Sequence, residues 1–143
     1  MKNLTVNNFI YVTLITSIWI NLSEVARYFL VVKPQMQAYL FEIKNVADMN
    51  LIIFMIWGVW DTLLTVLIVF ICWLCIQVFG NNRKSIAISA LISWSLFFVL
   101  FWVGMANMNL SSWSFLITVL PLAFLETLVA SIIIATLLKK FSA

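Results

Sequence analysis

Charge is what this sequence has least of. Eight basic and five acidic residues make up 9% of its 143 positions, where an ordinary soluble domain carries about 25%. A surface that is roughly a quarter charged is what keeps a domain in water, so water is excluded as the medium around most of this chain. Histidine is absent, which removes imidazole as a ligand for haem, zinc or copper and removes the usual base of a nucleophilic triad. Neither a cofactor nor a metal is expected. The three glycines, Gly58, Gly80 and Gly104, stand apart and form no phosphate-cradling turn. Lys and Arg do not cluster as a nucleic-acid footprint requires. The two cysteines, Cys72 and Cys75, lie within an apolar run and not in loops, which argues against the disulfide framework of a small secreted domain. Their CxxC spacing is expected to fall near a reducing face, which argues against redox chemistry.

What is present is hydrocarbon: 65% of the residues are hydrophobic and the mean hydropathy is +1.14. Four apolar runs stand out, at about residues 9–32, 51–79, 86–106 and 113–138. Each matches or exceeds the roughly 20 residues that carry a helix across about 30 Å of hydrocarbon. The expected fold is an all-α membrane protein, one domain over residues 1–143, built as an antiparallel bundle of four transmembrane helices. Lys33-Pro34 is expected to end the first span, because proline disfavours helix in the residue before it and interrupts the backbone ladder. Gly80-Asn81-Asn82 reads as a tight turn. Asn107 to Ser112 reads as a short link with Ser111 or Ser112 capping the fourth helix. Between Lys33 and Asn50, the helical spacing of Met36, Tyr39, Leu40, Ile43 and Val46 predicts a short amphipathic helix lying in the interface, with an ordinary polar loop as the alternative.

Basic residues near span ends set orientation, since Lys and Arg of short loops stay in the cytoplasm. Lys2, Arg83, Lys84, Lys139 and Lys140 then lie inside, with Lys33 and Lys44 outside. Both termini are expected in the cytoplasm of a bacterial-type cell, as part of a multi-pass inner-membrane protein. Lys2 and the run from Phe9 to Ile20 resemble the start of a signal peptide, but no A-x-A site follows and the run continues to Val32. Retention as a span is the expectation.

Inside these spans stand Glu24, Arg27, Asp61 and Glu126. A charge at such a depth costs from about 2.5 kcal/mol to above 10, so it must face a partner, water or the bundle interior. At roughly 1.5 Å per residue all four fall between the midplane and the outer face. Thr13, Ser17, Asn21, Glu24 and Tyr28 form one stripe on the first helix. Trp57, Asp61, Thr65, Cys72 and Cys75 run along the second, and Ser85, Ser89, Ser93, Gly104 and Asn107 along the third. Small polar residues let helices approach closely. Glu24 and Arg27, at i,i+3, can pair. One positive charge then faces three carboxyls, so at least one of these acids is protonated, binds a cation or meets water. Pro121, five residues before Glu126, removes a backbone bond near Ile117 and is expected either to widen the bundle there or to be absorbed by local adjustment.

The expected site is an outer-half polar pocket of Glu24, Arg27, Asp61, Glu126 and Asn21, with Trp57 and Trp60 as candidate aromatic walls. It would bind a hydrophobic or cationic small molecule, or couple to protons or cations. Two other roles fit the same residues. In a structural or accessory subunit the charges only lock helices together, and in a lipid-acting enzyme Asp61 and Glu126 serve as acid and base. No spacing in the chain selects an enzymatic reaction. The bilayer is the expected partner, with a second copy of the chain as a further candidate.

Overall fold

The computed structural model describes residues 5–39 and 49–142. Helix α1 covers Val6–Arg27 and passes through a π-helical turn, Tyr28–Val32, into α2, Lys33–Tyr39. Helix α3 covers Leu51–Phe79, and α4, Arg83–Trp94, passes through a second π-helical turn, Ser95–Val99, into α5, Leu100–Asn107. Helix α6 runs over Trp113–Ser142. Four helical rods result, each long and apolar enough to cross a membrane, and the chain is a multi-pass, all-α membrane protein in contact with lipid.

The ends of these rods follow local chemistry. Thr5 accepts a hydrogen bond from the Asn8 amide and starts α1, while Asn50 does the same for Ile53 and starts α3. Asn82 and Ser85 cap α4 reciprocally, satisfying donors that a helix start leaves open. Of the two candidate caps for α6, Ser112 is the one whose hydroxyl takes the Phe115 amide, at 3.3 Å. Gly80 closes the turn after α3 with φ 78° and ψ 167°, a region that only glycine adopts without strain.

The expectation that Lys33-Pro34 ends the first span is corrected by the fold: the helix continues through both residues to Tyr39. A proline ring clashes with the carbonyl four residues earlier, here Leu30. Leu30 lies inside the π-helical turn, where the Lys33 amide reaches back to the Tyr28 carbonyl. The widened turn lets the rod pass the proline instead of stopping at it. Met36 and Tyr39 therefore belong to the first rod, and the remainder of the expected interfacial helix, through Leu40, Ile43 and Val46, lies outside the described residues. The third and fourth rods also outrun their expected limits, to 83–107 and 113–142.

The rods surround two apolar cores. Near the end of the bundle that holds Val6 and Lys140, Val12 and Ile20 pack with Ile68, Val69, Cys72 and Ile76 and with Ala130, Ile134 and Leu138. Near the other end, Phe98, Trp102 and Ala106 pack with Phe115, Leu116, Val119 and Ala123, and Val31, Val32 and Met36 from the first rod close over them. Tyr11 and Phe141 meet edge to face at 5.8 Å, which puts the beginning of the first rod beside the end of the last. The first rod also touches α3 and α6, α4 touches α3 and α6, and α3 reaches α6 across the centre.

Candidate functional site

Helix α6 belongs to both cores, with Ala123 in one and Ala130 in the other. Between them stands Glu126, 1% exposed. Its Oε2 accepts a hydrogen bond from the Ser23 hydroxyl at 2.7 Å and lies 3.7 Å from Arg27 Nε. Its backbone carbonyl accepts the Trp19 indole N–H at 3.1 Å. Its other oxygen, Oε1, is buried without a hydrogen-bond partner among the described residues. One face of α1, carrying Trp19, Ser23 and Arg27 at successive four-residue steps, thus grips one residue of α6 at three points.

Arg27 is itself 7% exposed. Its guanidinium pairs with Glu24 one turn earlier on the same helix and sits over the ring of Phe98, 4.6 Å from the centroid. Asp61, 8% exposed on α3, lies one helical turn beyond Gly58 on the same helix. Asn21 stands next to α3, with its Oδ1 3.5 Å from where a side chain on Gly58 would begin, and its amide donates to the Ser17 carbonyl at 2.8 Å. The four ionisable groups and Asn21 therefore gather in one polar layer separating the two cores. Within that layer Glu24 and Glu126 both approach the one guanidinium, and Asp61 is buried on the neighbouring helix α3.

Trp57 and Trp60 do not join it. They are 52% and 62% exposed and face away from the bundle interior, so the aromatic contact of the layer comes from Phe98 and Trp19. On the second helix the expected stripe keeps Asp61, Thr65, Cys72 and Cys75 inside but turns Trp57 outward. Both cysteines are free thiols. On the third, Ser85, Ser89 and Ser93 are fully buried while Gly104 and Asn107 are not. The buried series there runs 85, 89, 93, then 98, 102, 106. The single five-residue step falls on the π-helical turn, which takes in one extra residue and brings Phe98 round to face Arg27. Pro121 is exposed and α6 runs unbroken past it.

Sequence reasoning missed Ser23, Trp19 and Phe98. A signal existed for the first two in the spacing 19, 23, 27 of an indole, a hydroxyl and a guanidinium, which was obscured by the alternative stripe through Asn21 and Glu24. Phe98 gave none, because a phenylalanine among apolar neighbours reveals no facing charge. Comparison with the models of known protein families, with characterised proteins and with solved structures finds no match to this chain.

Proposed function

We propose that this protein is an ion-coupled membrane protein whose polar layer takes up and releases a proton. The reading rests on one observation: Glu126 Oε1 is buried and unpartnered while the only guanidinium beside it is already paired with Glu24. Fully ionised, three carboxylates against one guanidinium leave two negative charges in hydrocarbon, which is too expensive to persist. A proton on Glu126 halves that excess and one on Asp61 as well cancels it, and the arrival or departure of the proton on Glu126 changes what holds α1 to α6. The basic residues Arg83, Lys84, Lys139 and Lys140 support a cytoplasmic location for the end of the bundle that carries them, in a bacterial-type inner membrane.

Infrared difference spectra of the reconstituted protein across a pH step test this. The expected result is a protonated-carboxyl C=O band that disappears or shifts in Glu126→Gln and changes in Asp61→Asn. Spectra with no such band, in wild type and both variants alike, would remove the case. A second reading, a structural lock in an accessory subunit, is favoured by the hold on Arg27 from Glu24, Glu126 and Phe98. It predicts that Glu126→Gln costs stability and leaves the spectra unchanged.

A further inference from the structure

Below the polar layer, toward the Gly80–Asn82 turn, the interior of the bundle is lined with hydroxyls. Ser85, Ser89 and Ser93 lie four residues apart on α4, and Thr127 and Ser131 four apart on α6; all five are 0% exposed. The two rows meet where the Ser89 hydroxyl donates to that of Ser131 at 3.1 Å, and the Cys72 thiol reaches the Ser131 carbonyl at 3.8 Å. Thr127 directly follows Glu126 in the chain, and since Ser89 meets Ser131, one turn further along the two antiparallel helices sets Ser93 level with Thr127 and so at the depth of the polar layer. At the far end Ser85 donates to the Gly80 carbonyl at 2.7 Å, in the turn at the bundle end.

Close helix packing alone explains small residues here. It does not explain an unpartnered oxygen in the same row. Ser93 Oγ is fully buried and has no hydrogen-bond partner among the described residues, a condition it shares with Glu126 Oε1. Buried polar atoms in native proteins find a partner, protein or ordered water. Hydroxyls four residues apart on a helix stand about 6 Å apart along the axis, too far for a direct hydrogen bond and suited to one bridging water.

We propose that this row is a hydrated proton path from Glu126 through Ser93, Thr127, Ser89 and Ser131 to the turn at Ser85. Its role as a path rests on the proton uptake proposed above; its hydration does not. A proton leaving the Glu126 carboxyl is accepted by a neighbouring water or hydroxyl oxygen, which releases its own proton to the next, so each relay group ends as it began. Glu24, paired with Arg27 and with 22% of its side chain exposed, is less enclosed than the neighbouring carboxyl of Glu126.

Water-edited solid-state NMR of the protein in bilayers tests the hydration. Polarisation from water is expected to build up at the Ser89 and Ser93 side chains well before it reaches Val69 and Ile134 in the neighbouring core. Equal, slow build-up at all four would overturn the proposal. For the path, a pH jump applied only to the face bearing Arg83 and Lys84 is expected to change the Glu126 infrared band about tenfold or more slowly in the Ser89→Ala, Ser93→Ala double variant. The final amplitude is expected to stay the same, and Ser93→Thr to restore the rate in the Ser89 wild-type background. An unchanged rate in the double variant, or equal slowing after a jump from the opposite face, would refute conduction by this row. Wet serines without any carboxyl band would leave the hydrated row standing and remove the proton-uptake reading instead.

Discussion

A single guanidinium decides how the interior of this protein is arranged. Arg27 touches Glu24, Glu126 and Phe98, so its removal leaves buried carboxyls with no counter-charge. Truncating one partner of a buried ion pair costs about 3–5 kcal/mol, whereas replacing the pair by neutral groups is often nearly neutral. Arg27→Met is therefore expected to lose about that much in denaturant unfolding in mixed micelles. The double variant Arg27→Met, Glu126→Gln is expected to lose clearly less than the sum of the two single changes. Additive losses in that cycle would mean that the 3.7 Å approach of Arg27 to Glu126 carries no energetic coupling. Charge in hydrocarbon is also what made these residues visible in the sequence. Glu24, Arg27, Asp61 and Glu126 stand out as the only Asp, Glu, Lys or Arg in the interiors of the four apolar runs. That Glu24, Arg27 and Glu126 meet has a physical reason, since isolated charges have nowhere else to go. Trp57 and Trp60 were not assignable in this way, because an indole is at home against lipid and against core alike.

The helices were legible to within a few residues wherever hydrophobicity alone defined them; α3 begins and ends at Leu51 and Phe79 as expected. The errors came at backbone irregularities. Proline ordinarily signals a boundary, and the widened turn that carries the first rod past Pro34 leaves no mark in hydropathy. The second widened turn did leave one in retrospect, the change from four-residue to five-residue steps between Ser93 and Phe98. Two predictions belong to this scale. Gly80→Ala places a Cβ at φ 78° and is expected to cost about 1–3 kcal/mol in the same unfolding measurement; an unaffected protein would mean that the turn relaxes freely. At Gly58 the nearest atom to an added Cβ is Asn21 Oδ1 at 3.5 Å, an ordinary contact. Gly58→Ala is expected to be neutral or to stabilise by up to about 1 kcal/mol through helix propensity. Gly58→Leu is expected to push α1 from α3 and to lower the midpoint, and equal tolerance of both would place no helix contact at that position.

At the scale of the molecule, four rods return the chain to the face it started from, as the Tyr11–Phe141 contact requires. Reporter domains fused before Met1 and after Ala143 are expected to report the same compartment, and one inserted in the Asn107–Ser112 link the opposite compartment. Discordant signals from the two ends would break the four-span topology. The grip of Ser23 on Glu126, 103 residues apart in the chain, also bears on how the protein is made. The first helix can leave the ribosome and enter the bilayer carrying Glu24 and Arg27 as a self-neutralised pair. Glu126 is synthesised last of the four and has no such neighbour on its own helix, so its partners Ser23 and Arg27 are already in place when it arrives. The last segment to be made thus carries the carboxyl that the first one is built to receive, and the ion pair between the first and last helices closes only when synthesis is nearly done.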